Sequence, residues 1–303
     1  MPTENNEEYI LQKNARLMTR ATIASVCTGS FLAIIKLIAY LLTGSVALLT
    51  SLVDSVLDII ASVVNMFAVK HSLVPADEEH RFGHGKVESL AGLAQAAFIS
   101  GSAMFVLVEA FNRIFSPSPL SHGPVGIGVM LVSIVLTIIL VQYQRYVIRK
   151  TASVAIIADS LHYVSDVLFN VSVIFAIILS YYYDFVLADP IFAIIIAIFI
   201  IVSAWKIARN SLDQLMDREL PDEDREKIKQ IALAHTDVLD IHDFRTRASG
   251  QDIFIQLHLV MDRNLDLEKA HQIAVEVDKN ICAAFPHADV IIHEDPDSEE
   301  PGS

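Results

Sequence analysis

Four side chains inside apolar segments carry the chemistry of this sequence. Asp54 and Asp58 stand four residues apart in VALLTSLVDSVLDIIASVVNMFAV (46–69), and His162 and Asp166 stand four apart in ADSLHYVSDVLFN (158–170). On a helix, positions i and i+4 stack on one face, so two facing helices offer three carboxylates and one imidazole around a point. That shell is four-coordinate, fits Zn²⁺ or a near relative, and is softer than the all-oxygen sites of Mg²⁺ or Ca²⁺. One ionisable residue at the centre of a membrane helix costs roughly 2.5–3.5 kcal/mol, so two carboxylates one turn apart need a partner, which a divalent cation or protons would supply. The same faces continue through Ser51, Ser55, Ser62 and Asn65 on one segment and through Asp159 and Asn170 on the other. Interhelical hydrogen bonding accounts for such serines and asparagines equally well, and Asp159 reads as a vestibule charge or a ligand.

Two further sets of candidate ligands lie in polar stretches. VPADEEHRFGHGKVES holds Asp77, His80 and His84 at a D-x-x-H-x-x-x-H spacing. That spacing suits a surface metal site and equally a plain hydrophilic loop. Six histidines, His235, His242, His258, His271, His287 and His293, fall in the last 90 or so residues together with Asp295. Period-2 alternation puts His258 on the strand face opposite Ile255, Leu257 and Leu259, and puts His293 and Asp295 on one face, which suggests a shared cluster.

The elements that position these residues follow from hydropathy. Hydrophobic residues make up 53% of 303, mean hydropathy is +0.48, and the apolar runs are long enough to span a hydrocarbon core. Six spans are expected, at 17–42, 45–70, 88–115, 123–148, 153–182 and 186–210, after a polar segment 1–16 that does not read as a signal peptide. Lys13, Arg16, Arg20, Lys70, Arg81, Lys86, Arg145, Arg149, Lys150, Lys206 and Arg209 flank one set of ends, whereas the turns at 43–45, 116–124 and 181–189 hold no Lys or Arg. The positive-inside rule then places both termini in the cytoplasm. Lys36, near the outer end of its span, is expected to snorkel.

Residues 211–303 hold 22 acidic and 9 basic side chains, a net of −13 out of −14 for the chain. This excludes a nucleic-acid partner and suits either cation attraction or simple solubility. The region reads as a compact αββαβ domain: a helix at 222–236, strands in DIHDFRTRAS and QDIFIQLHLVM, a helix at 265–285 and a strand in ADVIIHED. Residues 297–303 read as a disordered tail. Cys27 and Cys282 are too far apart in sequence to suggest a disulfide framework or thiolate site. No G-x-x-x-x-G-K-[ST] motif occurs, so neither nucleotide nor organic cofactor is indicated, and no enzymatic constellation is present.

DSVLD in the second span, HYVSD in the fifth, DEEHRFGHGKVE in the first long loop and a histidine-bearing αββαβ tail together resemble the cation diffusion facilitators, especially their bacterial zinc transporters. The resemblance covers almost the whole chain. It implies a homodimer in a bacterial inner membrane that exchanges Zn²⁺, or Cd²⁺ or Fe²⁺, for protons, with a metallochaperone-like tail. It implies a transport site of Asp54, Asp58, His162 and Asp166, with the histidine pointing away from manganese, and a loop site of Asp77, His80 and His84. It further implies a binuclear tail site, with His242, His258 and Asp295 on one ion and His271, His293 and Asp295 on the other, and a Lys86–Asp217 charge pair. The loop after the fourth span lacks the histidine-rich insert of many eukaryotic members. Imidazole titrates around neutrality, so protonation of His162 is expected to favour metal release. The alternative function is a membrane-anchored metal sensor without transport.

Overall fold

The computed structural model describes residues 2–115, 124–183, 185 and 187–297. Six long helices come first: α1 (Pro2–Thr43), α2 (Val46–Ser72), α3 (Lys86–Phe115), α4 (Pro124–Thr151), α5 (Val154–Tyr183) and α6 (Ala188–Leu215). Each contains a segment long and apolar enough to cross a membrane. Helix α1 already begins at Pro2 and runs on into the first span without a break. The expected disordered end and the turn at 116–123 fall, apart from Asp297, outside the described residues.

Helix α1 packs on α2 and α4, α4 on α5, and α3 on both α2 and α5. Close packing among α3, α5 and α6 comes from small residues, with Ala96, Ala103, Ala158, Ala197 and Ala204 in one buried cluster. Gly92 marks the tightest approach: a Cβ there would lie 2.8 Å from Val154 Cγ1 and 2.9 Å from Ser211 Oγ. In lipid there is little hydrophobic drive between helices, so such small-residue contacts let backbones approach and gain dispersion energy.

The chain divides into two compact units, Met1–Leu212 and Asp213–Ser303. The second contains α7 (Asp222–Leu233), β1 (Asp240–Ser249), β2 (Asp252–Met261), α8 (Leu267–Ala284) and β3 (Ala288–Pro296), the expected αββαβ order. The sheet runs β1-β2-β3, antiparallel between β1 and β2 and parallel between β2 and β3. Ile255, Leu257 and Leu259 of β2 alternate into a core with Ile228 of α7 and Ile273, Val277 and Ile281 of α8. Asp266 caps α8, its side chain accepting from the Lys269 N–H at 2.8 Å.

Candidate metal centres

In the first unit, α2 and α5 bring Asp58, His162 and Asp166 together, with one ligand atom of each within 4.8 Å of the others. His162 Nε2 lies 3.0 Å from Asp58 Oδ1 and 3.9 Å from Asp166 Oδ2. Asp58 and Asp166 both face Nε2, so the three groups present ligand atoms to one small space, which suits a shared cation. Asp54 lines the same cavity one turn along α2 but lies outside this 4.8 Å cluster.

That cavity, about 480 Å³, extends from the Asp/His cluster to Glu109, Arg113 and Asp189 near the end of α3 and the start of α6. Arg113 Nη1 donates to Asp189 Oδ2 at 2.9 Å, and its Nε donates to Glu109 Oε1 at 3.0 Å. Lys36 also lines the cavity. It does not snorkel: Nζ donates to Ser55 Oγ at 2.6 Å and to the Ser51 carbonyl at 3.2 Å. An ammonium within an apolar helix bundle is held by acceptors and nearby carboxylates, and sequence alone could not distinguish that from a lipid-facing route. The one trace of it in the sequence is the Ser51/Ser55 stripe on α2, which also belongs to the aspartate face.

Of the other polar residues of the two stripes, Asn170 lines the cavity, and Ser62, Asn65 and Asp159 join helices. Ser62 Oγ and Tyr163 Oη are 3.1 Å apart, and Asn65 Nδ2 donates to the Ala155 carbonyl at 3.4 Å. Asp159 is not a vestibule charge, because it is 1% exposed. Its Oδ2 accepts from Ser25 Oγ at 2.6 Å and from Gln144 Nε2 at 2.8 Å, tying α5 to α1 and α4.

Between α2 and α3, Asp77, His80 and His84 also converge within 4.8 Å. Asp77 Oδ1 accepts from the backbone N–H groups of His80 at 2.6 Å and Glu79 at 3.0 Å. The His80 N–H, foremost, holds the Asp77 carboxyl below its usual range despite some desolvation, with Glu79 and the two imidazoles assisting. His84 is 7% exposed; its Nδ1 is 3.3 Å from the Val74 carbonyl, and its Nε2 is 3.5 Å from Asp77 Oδ2. With the Nδ1 proton given to a carbonyl, Nε2 is left as an acceptor, the usual arrangement of a metal-ligating histidine.

In the second unit, sheet register builds the cluster. His242 pairs with His258, and His258 pairs with His293, so three histidines stand in a row across the three strands. Their ring centroids are 4.9 and 4.5 Å apart, close to the strand spacing of about 4.8 Å. Asp295, two residues further along β3, serves all three: Oδ2 lies 2.8 Å from His258 Nδ1 and 3.1 Å from His242 Nε2, and Oδ1 lies 3.3 Å from His293 Nε2. Partial burial pushes the Asp295 carboxyl up, but the His258 hydrogen bond and the His293, His258 and His242 charges outweigh it and hold it below its usual range. His271 is not drawn into this group; its Nδ1 lies 3.8 Å from Glu294 Oε1. Asp217 Oδ1 accepts from Arg247 Nη1 at 3.2 Å within the same unit, while Lys86 opens α3 in the other.

The family described as the cation efflux transmembrane domain matches residues 22–216, and the cation efflux protein cytoplasmic domain matches residues 220–297. The cation-efflux pumps FieF of Yersinia pestis (strain Pestoides F) and Yersinia pseudotuberculosis serotype O:3 (strain YPIII) are each 49% identical over 287 residues, which is 95% of this chain and 95% of theirs. A solved chain of CzrB is 31% identical, covering 26% of this chain and 99% of that one, with a TM-score of 0.26.

Proposed function

The chain belongs to the cation efflux family, and from that premise we propose that it exports Zn²⁺ from a bacterial cytoplasm across the inner membrane in exchange for protons. The observation that carries the reading is the convergence of Asp58, His162 and Asp166, with Asp54 beside them, at one end of a cavity inside the helical unit. Three carboxylates with one imidazole suit a borderline cation such as Zn²⁺, and Cd²⁺ and Fe²⁺ remain acceptable to the same donors. Both the metal and protons compete for those donors, so binding one releases the other, and that competition is the coupling. Alternating access follows: the cluster opens first to the cytoplasm and then to the far side while its ligands stay in place. The cavity's reach toward the ends of α3 and α6, where the loops hold no Lys or Arg, fits the releasing side of that cycle.

The cytoplasmic unit is the regulator and the dimer contact in this proposal. His242, His258 and Asp295 hold one ion, and His293 with Asp295, joined by His271 on moving from Glu294, holds a second. The placement of the two Asp295 oxygens, one toward His242 and His258 and one toward His293, supports a carboxylate bridging two ions. Two tails of net −13 repel until bound cations offset their charge, so zinc draws them together, and a Lys86–Asp217 pair passes the movement to the helices.

Zinc uptake into proteoliposomes under an imposed pH gradient tests transport. Flux that depends on the gradient is expected. Zinc binding without flux would instead favour a membrane-anchored sensor. Labels on the two tails should approach on adding zinc, and hydrogen exchange in β2 and β3 should slow; no change in either would remove the regulatory role and leave transport standing.

A further inference from the structure

His71 lies in the last turn of α2, six residues before Asp77, and its side chain is exposed. Its ring packs edge-on against His84 with centroids 4.8 Å apart, and His80 flanks the same His84 ring from another side at 4.6 Å. Two imidazoles bound to one tetrahedral Zn²⁺ at about 2.1 Å hold their ring centroids roughly 5 Å apart. Both spacings around His84 are therefore near those of imidazoles sharing one ion. No hydrogen bond or ion pair holds the His71 imidazole among the described residues, so turning a nitrogen toward Asp77, His80 and His84 breaks nothing. His84, by contrast, is already fixed by burial and by the Val74 carbonyl, and Asp77 is fixed by two backbone N–H groups.

We propose that His71 is a fourth ligand of the Asp77–His80–His84 site, closing it into a three-histidine, one-carboxylate tetrahedron that clips the end of α2 to the following loop. The proposal rests on the reading of Asp77, His80 and His84 as a metal site and adds what that site is for. Three protein ligands leave a position open for exchange or water; four close the shell, as in structural zinc sites. A site so closed holds its ion and braces the end of the helix that carries Asp54 and Asp58, and it does not pass ions along.

The test uses the full-length protein in nanodiscs, with Asp58→Ala and Asp166→Ala silencing the membrane site and His258→Ala and Asp295→Ala silencing the cytoplasmic one. Titration with Co²⁺ reads the shell directly, because tetrahedral Co²⁺ absorbs visible light far more strongly than five- or six-coordinate Co²⁺. The parent should develop intense tetrahedral bands, and His71→Phe, which keeps a ring against His84 but has no nitrogen, should shift and weaken them, because water replaces an imidazole in the shell. Affinity should fall about tenfold or more, since even removing an outer-shell partner of a ligand costs 10–100-fold. His71→Gln should behave alike, which separates ligation from packing. Unchanged bands and affinity in both His71 variants, with binding abolished by His80→Ala, would overturn the role of His71 and leave a three-ligand site. Weak, non-tetrahedral bands in the parent would overturn it too. No Co²⁺ binding in the parent would bring down the loop site itself.

Discussion

The helical unit and the cytoplasmic unit each gather carboxylates and imidazoles, but by different geometry. Between α2 and α5 the cluster depends on i,i+4 stacking along two helices facing each other, so each helix supplies two candidate ligands and any relative movement of the helices changes the shell. Across β1, β2 and β3 it depends on strand register, with one histidine per strand at the same level and backbone hydrogen bonds holding the spacing. The surroundings differ as well. His162 is 6% exposed and shares its cavity with a cation, Lys36, whereas His242, His258 and His293 stand on a sheet face with Asp295 as common counter-charge. A site that must take up and give up an ion benefits from adjustable ligands and a competing charge. One that reports on metal benefits from a fixed template open to solvent.

The largest expected effect separates the two regions outright. Asp58→Ala or Asp166→Ala should reduce proteoliposome zinc flux by about a hundredfold or more, while zinc binding to the cytoplasmic unit, read by calorimetry, persists. His258→Ala should do the reverse, removing cytoplasmic binding and lowering flux only about fivefold, at the low end of allosteric coupling. Normal flux in either aspartate variant would mean that the α2–α5 cluster is not the transport site.

Lys36 sharpens the contrast further. Its ammonium is pinned by Ser51 and Ser55 within the cavity of the three carboxylates, where a positive charge opposes an incoming divalent cation. Lys36→Met should tighten zinc binding at the membrane site by about tenfold and slow release, so that flux saturates at lower zinc and at a lower maximum. Weaker binding in the variant would show that the lysine supports the site through structure and not through competition.

The sequence carried a great deal of this because both periodicities are short-range. Asp54/Asp58 and His162/Asp166 reveal their shared faces through 3.6-residue spacing, and the alternation in QDIFIQLHLVM separates His258 from the core before any fold is known. What it did not carry needs a third dimension. The turn of Lys36 toward Ser55 and the burial of Asp159 between Ser25 and Gln144 depend on which helix faces which, and α1 and α4 announce no such pairing in their own patterns. The cross-sheet row of histidines needed the register, which alternation leaves undetermined by steps of two. His71 gives no signal of its own in the sequence, because a histidine at a basic helix end is ordinary near the negative end of the dipole.

The smallest expected effect concerns Asp295 in the metal-free protein. Its carboxyl is held below the usual range by His258, His293 and His242 in the fold, and in the unfolded chain that help is gone. A folded-state value below the unfolded one means that the unfolded chain binds the proton first as pH falls. The stabilisation is thus complete above the ordinary aspartate value of about 3.9 and disappears as pH drops through the lowered one. Hydrogen exchange in β2 and β3, corrected for intrinsic rates and measured with chelator present, should therefore lose protection below about pH 4. Asp295→Asn should flatten that acid limb, lowering protection at neutral pH with little further loss on acidification. Asp295 contacts all three histidines, so the carboxylate is what keeps them side by side without metal. If the variant kept the full acid limb, other carboxylates would be responsible, and Asp295 would matter to the row of histidines only when an ion is bound.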